Sequence, residues 1–479
     1  MTRTTKRFLD EFSAAVRDEH AAVFVGAGVS MAAGYPSWTG LLAEIGEELG
    51  IRSSDVHDLA ALAQWSIQEN GGATRVRNVI KREIGRELEI PEALRIIARL
   101  PVRMLWTTNY DRLVERAFAS ISRPLDVVSG AGDLSLRATP GAARLFKMHG
   151  SVERLDDIVI STDDYELYRS KRGSFLPLLQ AHLTSMSMLF VGLSLTDPNI
   201  RHVLSSIRES FTDAPPEHFA LLRPPQRDDF TREEEFTARS AQHRLWAKDL
   251  RRYGLIAVEV DSFAEIPALL GQLERRVAMH RVWVSGSWPV DQIEPEATKV
   301  YEVAYGIGRA VGDQGRTLVS GAGLLVGSAS ISGFLDSLRT NGAWDLERRL
   351  IARPFPQALQ GQPPNREQWT QLRRELAKLS GAVVFVGGMK RQQDALVPAD
   401  GVLEELELAR EAGAFLLPIA ATGGMAARIG NELRGSAIAA NGPNALRPTD
   451  AELDALSNPD ATASELVELA LQVLRRAQR

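Results

Sequence analysis

The stretch Ala22-Val23-Phe24-Val25-Gly26-Ala27-Gly28-Val29-Ser30 decides the fold of the first half of this chain. A short apolar run, typical of a buried strand, ends in Gly-Ala-Gly, and a helical pattern begins after Trp38. This order places backbone N–H groups and a helix N-terminus where they can face a phosphate. Glycine is expected here because a side chain would hold the backbone away from a pyrophosphate, and because one position is expected to need a positive φ. Many α/β turns contain two glycines and bind nothing, so the motif alone leaves a structural role open.

The composition is that of an ordinary globular protein with more than one domain. The chain has 479 residues, 44% hydrophobic and 24% charged, with a formal net charge of −5. This length predicts two or three domains, and the charge gives no general attraction to nucleic acid or to anionic membranes. No apolar run reaches spanning length and no apolar segment follows the basic N-terminus, so we expect a cytoplasmic protein without a nucleic-acid or membrane partner. With no cysteine, disulfides, thiolate catalysis and cysteine-based zinc sites are excluded, and we expect no metal.

Three further apolar runs in the first half also end in polar residues. They lie at 104–108, 145–148 and 188–191, and are followed by Asn109-Tyr110-Asp111, by His149-Gly150-Ser151 and by residues 192–197. In an open parallel sheet, ligands bind beyond the carboxyl ends of the strands. We therefore expect these polar ends to meet in one crevice.

The alternation of strand, glycine turn and helix starts again near Arg281. Apolar runs with small or glycine-containing ends recur in the second half at 282–287, 317–323, 383–390 and 415–424. The recurrence predicts a second α/β domain, so that residues 1–280 and 281–479 form one domain each. The predicted fold class is α/β, with two doubly wound Rossmann-like domains.

The first half resembles the sirtuin-type NAD-binding fold over roughly residues 10–280. Four motifs carry the resemblance in the family's order: Gly26-Ala27-Gly28-Val29-Ser30, Gly34-Tyr35-Pro36, Thr107-Thr108-Asn109-Tyr110-Asp111 and His149-Gly150. The resemblance implies catalytic roles for Asn109 and His149, with His149 as the general base. It also implies NAD-binding roles for Gly26, Ala27, Gly28, Ser30, Asp111 and Ser194.

The chemistry of NAD cleavage suits these residue types. Breaking the nicotinamide–ribose bond passes through an oxocarbenium-like centre, which needs a shaped pocket and a positioned water or hydroxyl. An imidazole with a pKa near neutrality can remove a proton from that group, and an amide can hold it without adding charge. Taken singly, His149 could be a turn residue bonded to the backbone, and Asn109-Tyr110-Asp111 could be a helix N-cap.

Two departures from the sirtuin pattern bear on the reaction. Sirtuin deacylases carry a zinc module built from four cysteines, which this chain lacks, and Ser37-Trp38 stands where deacylases have a Phe-Arg pair. Both departures favour hydrolysis by water over deacylation. An NAD-dependent protein deacylase and a non-catalytic nucleotide sensor remain the alternatives.

The second half resembles the SLOG superfamily, which includes the Lonely-Guy phosphoribohydrolases and nucleotide-sensing domains. The motifs are Trp369-Thr370-Gln371-Leu372-Arg373-Arg374, Gly387-Gly388-Met389-Lys390 and Gly401-Val402-Leu403-Glu404-Glu405. The family's site arginine and glutamate match Arg373 and Glu405. The resemblance implies a cyclic nucleotide site formed by Gly286, Ser287, Arg373, Lys390, Gly401 and Glu405. Because the phosphate-cradling glycine motif is incomplete, we expect binding rather than hydrolysis.

The charges of this second site have a plainer interpretation as well. Arginine and lysine both suit phosphates, arginine through its planar fork and lysine as a point charge, and Arg353 is a further candidate for a phosphate contact. Alternatively, Arg373 with Glu375, and Glu405 with Arg410, could be solvated pairs on helix surfaces.

A sirtuin-like domain followed by a SLOG domain is similar to the effector family of Thoeris antiphage systems. This resemblance covers nearly the whole chain. It implies an NAD hydrolase that uses NAD as substrate and needs no cofactor. Its activator would be a cyclic ADP-ribose isomer made by a TIR-domain protein, and the protein would be a homotetramer.

Overall fold

The computed structural model describes residues 2–193, 198–210, 217–290, 295–342, 345–356, 365–393, 395–441 and 445–478. The chain divides into two compact units, Met1–Glu274 and Arg275–Arg479. The predicted boundary between residues 280 and 281 falls just inside the second unit, where the first strand of that unit begins.

A seven-stranded parallel sheet forms the centre of the first unit, counted over the described residues. Its strands are β1 (Ala21–Val25), β2 (Met104–Thr107), β3 (Leu125–Val128), β4 (Ala143–Lys147), β5 (Ser187–Val191), β6 (His218–Leu222) and β7 (Leu255–Glu259). The spatial order is β3-β4-β2-β1-β5-β6-β7, so the chain changes direction across the sheet between β1 and β5. Such a switch point is where doubly wound folds bind their ligands.

Helices cover both faces of this sheet. They are α1 (Arg3–Arg17), α2 (Ala27–Ala32), α3 (Trp38–Leu41), α4 (Ala43–Glu48), α5 (Leu59–Glu69), α6 (Thr74–Ile84), α7 (Glu92–Arg99), α8 (Leu113–Ser120), α9 (Thr162–Glu166), α10 (Tyr168–Arg172), α11 (Phe175–Ser185), α12 (Pro198–Ser210), α13 (Glu233–Asp249) and α14 (Ile266–Ala278), in which the division between the units falls.

The central strands are apolar because both of their faces are covered. All five residues of β1 are buried. Phe24 pairs in register with Trp106 on one side and Phe190 on the other, and its ring stacks on Phe190 at 5.6 Å between centroids. This register and packing fix where β1 ends relative to β2 and β5, and so where the glycine turn begins.

The second unit repeats this plan with a smaller parallel sheet. Its strands are β8 (Arg281–Ser285), β9 (Thr317–Ser320), β10 (Leu350–Ala352), β11 (Ala382–Phe385) and β14 (Phe415–Pro418), and a separate antiparallel hairpin is formed by β12 (Met389–Gln392) and β13 (Ala395–Pro398). The order β10-β9-β8-β11-β14 places the switch point between β8 and β11. The hairpin was not predicted from the sequence.

The helices of the second unit follow in chain order. They are α15 (Pro295–Asp313), α16 (Val326–Asn341), α17 (Leu346–Arg349), α18 (Arg366–Leu379), α19 (Asp400–Glu411), α20 (Gly424–Leu433), α21 (Asp450–Leu456) and α22 (Ala463–Gln478). The predicted fold class, two doubly wound Rossmann-like sheets, is confirmed. Across the described part of the chain, no helix has the length and apolarity needed to cross a membrane.

Candidate functional site

A cavity of about 900 Å³ lies at the carboxyl ends of the first sheet. This volume is within the range of small-molecule sites. Six of the predicted site residues line it: Ala27, Gly28, Ser30, Asn109, Asp111 and His149. Gly26 lies immediately before them at the end of β1, and Ser194 falls outside the described residues. The strand ends therefore meet in one crevice, as the sequence predicted.

The glycine turn packs directly against the turn that follows β5. Gly26 N donates to Val191 O and Gly28 N donates to Gly192 O, both at 2.8 Å. A Cβ on Gly26 would overlap the carbonyl oxygen of Gly192 and lie 2.6 Å from the Cα atom of Leu193. The expected positive φ is not found in the Gly-Ala-Gly turn, where Gly26 has φ −102°. It is found in the facing turn after β5, where Gly192 has φ +69°. That prediction was wrong: Gly26 and Gly28 are required by the close approach of two backbones.

Ser30, Asn109 and Asp111 form one hydrogen-bond network. The hydroxyl of Ser30 donates to Asp111 Oδ2 at 2.6 Å, and Asn109 Nδ2 donates to Ser30 Oγ at 2.9 Å and to Gly26 O at 3.0 Å. No residue of the described ranges donates to Asn109 Oδ1, so this oxygen is left for a ligand or water. Asp111 also accepts from Leu113 N, at the first residue of α8, at 2.9 Å. The N-cap residue of α8 is Arg112, so the interpretation of Asn109-Tyr110-Asp111 as the helix N-cap is wrong.

His149 is placed by the sharp turn that follows β4. The backbone oxygen of His149 accepts from Val159 N at 3.0 Å, and Gly150 has φ +85°, which favours glycine. The imidazole is edge-on to two tyrosine rings, with centroids 5.5 Å away for Tyr165 and 6.3 Å for Tyr168. With 4% of its surface exposed, His149 sits in a shielded pocket wall.

Ser37-Trp38, the departure from the deacylase pattern, belongs to the same cavity. Ser37 caps α3 by accepting from Gly40 N at 3.1 Å. Trp38 lies 6.5 Å from Tyr165 between ring centroids, and both rings line the cavity. The site wall is aromatic here, where the deacylase pattern has an arginine.

Lys147 was missed by sequence reasoning. It is fully buried, and its Nζ donates to Asp111 O, to Tyr110 O at 3.4 Å and to Glu115 Oε1 at 2.8 Å. It therefore ties the loop of Asn109 and Asp111 to the strand that carries His149. The signal was available, since a lysine inside an apolar strand must find partners or remain uncharged.

The switch point of the second sheet is also built on a close backbone contact. Gly286 has φ +150°, and a Cβ there would overlap the carbonyl oxygen of Val386. Ser287 Oγ donates to Met389 O at 3.0 Å. Gly286 and Ser287 thus hold the start of the hairpin that carries Lys390.

Arg373 and Glu405 lie together near this switch point. Arg373 Nε is 3.4 Å from Glu405 Oε1, and Glu405 Oε2 accepts from Ser285 Oγ at 2.6 Å. Both residues are buried, and desolvation raises the pKa of the Glu405 carboxyl. The interpretation of Arg373 and Glu405 as solvated surface residues is wrong, because helices α18 and α19 face each other here.

The guanidinium of Arg373 has further neighbours. It lies over the rings of Phe355 and Trp369, at 5.1 and 5.8 Å from their centroids, and Nη1 is 2.5 Å from Glu404 Oε2. A Cβ on Gly401 would overlap this guanidinium, so glycine leaves the room that Arg373 occupies.

The other two candidate cations are more exposed. Lys390 Nζ is paired with Asp400 Oδ2 at the start of α19, which places Lys390 on the same helix end as Gly401. Arg353 is exposed, and its Nη1 donates to Ala352 O at 3.2 Å.

Comparison with known proteins matches two parts of the chain to two families. The model of the SIR2-like domain matches residues 103–246, which include Asn109 and His149, and the model of the Sir2- and TIR-associating SLOG family matches 265–477. A protein of Bacillus cereus (strain MSX-D12) named NAD(+) hydrolase ThsA is 33% identical over 90% of both chains. Proteins of the same name from Cytobacillus dafuensis and Enterococcus faecium are each 32% identical over 88% of this chain and over 87% and 88% of their own.

The chain belongs to the ThsA family. The predicted resemblances to sirtuins and to SLOG proteins are confirmed. The 900 Å³ cavity lies in the first unit of the chain, and the Arg373 cluster lies in the second unit, within the part that the SLOG model matches.

Proposed function

We propose that this chain is an NAD hydrolase of antiphage defence. Water would replace nicotinamide at the anomeric carbon of the ribose, giving nicotinamide, ADP-ribose and a proton. The observation that carries the proposal is the convergence of His149, Asn109 and Asp111 on one cavity beside the glycine turn. The name of the relatives, NAD(+) hydrolase, supports the same reaction.

Each residue has a role that follows from its contacts. Asn109 is fixed by its two donated hydrogen bonds, so its Oδ1 would accept from the attacking water or from a ribose hydroxyl. His149 would take the proton that the water loses as the new C–O bond forms. Ser30 and Asp111 hold Asn109 in place, and Asp111 would orient the nicotinamide ribose.

The rest of the dinucleotide would extend along the cavity. The pyrophosphate would lie at the turn of Gly26, Ala27 and Gly28, where a side chain cannot intervene. NAD is thus a substrate and not a retained cofactor, and the protein needs no metal for this reaction scheme.

We further propose that the SLOG unit controls this activity. A cyclic ADP-ribose isomer, made by a TIR-domain protein, would bind with its phosphates at Arg373 and Lys390 and a ribose hydroxyl at Glu405. Gly286, Ser287 and Gly401 would line the site. The description of the matching family as TIR-associating supports such a partner, and the active assembly would be a homotetramer in the cytoplasm.

The test is nicotinamide release by the purified full chain, with NAD and with each of several cyclic ADP-ribose isomers. We expect release with one isomer, loss of release in His149→Ala and Asn109→Ala, and loss of activation in Arg373→Ala. His57→Ala removes an exposed imidazole and should change nothing. Release without any acylated peptide separates hydrolysis from deacylation. Intact NAD under every condition would refute the proposal.

A further inference from the structure

Two of the three candidate phosphate-binding cations of the SLOG unit, Arg373 and Lys390, are already paired with carboxylates of helix α19. Arg373 contacts Glu404 and Glu405, and Lys390 contacts Asp400. In formal charges, this cluster holds two cations and three carboxylates. An anionic ligand that meets this arrangement is attracted weakly, because the charges it needs are neutralised within the protein.

The ion pair of Arg373 with Glu404 is stronger than the ion pair of Lys390 with Asp400. Glu404 Oε2 is 2.5 Å from Arg373 Nη1, and Glu404 Oε1 accepts the hydroxyl hydrogen of Thr370. The side chain of Arg373 is 11% exposed. By contrast, the side chain of Asp400 is 85% exposed, and ion pairs in water contribute little.

Glu404 also occupies the part of the guanidinium that a phosphate would use. Nε of Arg373 already faces Glu405, which is buried and held by Ser285. Phosphates bind the N–H groups of the planar guanidinium. With Nε facing Glu405, Nη1 is the group a phosphate would need, and Glu404 Oε2 already contacts it. The Glu404 side chain is 34% exposed, so it can turn into solvent where Glu405 cannot.

We propose that Glu404 competes with the phosphate of the activating ligand for Arg373. This competition sets the affinity of the SLOG unit for the ligand. The inference rests on the proposed function of the SLOG unit. An activator must displace Glu404 from Arg373 to bind. A ligand whose phosphates and ribose fit the whole site makes enough contacts to do so, whereas a single phosphate group does not.

The experiment compares wild-type full chain with Glu404→Gln by calorimetric titration with cyclic ADP-ribose and its isomers. Glutamine keeps the shape and the hydrogen bond to Thr370 but removes the competing charge. We expect the Kd of the activating isomer to fall at least about tenfold, which corresponds to about 1.4 kcal/mol. The midpoint of activation of nicotinamide release should fall in parallel.

Glu407→Gln is the matched control. This variant removes the same charge from the same helix, but Glu407 pairs with Arg410 at 3.3 Å in an exposed ion pair. The Kd of the Glu407→Gln variant for the activating isomer should therefore equal that of wild type. Thr370→Val leaves Glu404 in place and removes one of its anchors, so it should tighten binding in the same direction by a smaller factor. It also serves if Glu404→Gln folds poorly.

The outcomes are distinct. If wild type binds an isomer and Glu404→Gln binds it equally or more weakly, Glu404 supports Arg373 and the competitor idea is overturned while the proposed function stands. If neither protein binds any isomer, the ligand site itself is misassigned and both proposals fail. A gain in Glu404→Gln that Arg373→Ala cancels supports the proposal.

Discussion

Replacing Lys147 with methionine tests how the two strand-end loops of the cavity are held together. The Nζ atom is buried, 2.8 Å from Glu115 Oε1, and donates to the carbonyl oxygens of Tyr110 and Asp111. Methionine has a similar length but no charge. The variant would leave the Glu115 carboxylate, 12% exposed, without its cation, and would leave Asp111 O without this donor.

The expected loss of stability follows from that arrangement. Removing one partner of a buried ion pair typically costs about 3–5 kcal/mol, because the remaining charge is uncompensated. Replacing both partners is much milder, so Lys147→Met combined with Glu115→Gln should recover at least about 1 kcal/mol. Lys81→Met, on the exposed face of α6, is the control and should change stability by less than about 0.5 kcal/mol.

The assay is differential scanning calorimetry of the full chain, followed by nicotinamide release at saturating ligand. A change of this size shifts the melting temperature of the first unit by on the order of 10 °C. The transition of the second unit should not move, since Lys147 has its contacts in the first. If Lys147→Met melts like wild type, or if Glu115→Gln rescues none of the loss, the buried pair does not hold these loops and the reasoning fails.

Two further predictions concern the first unit. Gly26→Ala should destabilise the first unit by about 1–3 kcal/mol, as overpacking does, because the added Cβ overlaps the Gly192 backbone. The same variant should abolish nicotinamide release. Gly132→Ala has open space around the added Cβ and should change neither the melting temperature nor the release rate. Burial lowers the pKa of His218 to about 4, below the unfolded value of about 6.5. Between these two pH values the unfolded state binds more protons than the folded state. The free energy of unfolding therefore falls as the pH drops from about 6.5 to about 4, by about 3 kcal/mol in all. His218→Asn keeps an acceptor for Met188 N and should show a smaller difference between urea unfolding at pH 7 and at pH 4.5; an unchanged difference would contradict the assignment.

The sequence predicted most strands of the two sheets and missed β3, β10 and the hairpin for a physical reason. β1 is covered on both faces and reads as a continuous apolar run, whereas only Val128 of β3 is buried at the sheet edge. The three residues of β10 are all half-buried. The hairpin of β12 and β13 has no buried residue, so its sequence resembles a turn. Strands with few buried residues, such as these, are formed by backbone pairing, which leaves little trace in hydrophobicity.

The candidate site was predictable in its members but not in its bonds. Asn109, Asp111 and His149 each follow an apolar run, and parallel-sheet topology brings such positions together. The bond from Lys147 to Glu115 joins residues 32 positions apart, and the pair of Arg373 and Glu404 joins residues 31 positions apart. These contacts depend on how helices pack on the sheet, which no local pattern specifies.

The two switch points differ in how ready they are to accept a ligand, and this difference bears on regulation. In the first unit, Ser30, Asn109 and Asp111 bond to one another, and among the described residues none donates to Asn109 Oδ1. In the second, Arg373 and Lys390 are both neutralised by carboxylates. Taking a switch from 1% to 99% active requires a ligand to bind the active state about 5.5 kcal/mol more favourably than the inactive state. If the SLOG unit is such a switch, part of the phosphate binding energy would be consumed in breaking these ion pairs. Under the proposed function, the activator would therefore have to gain from many contacts at once.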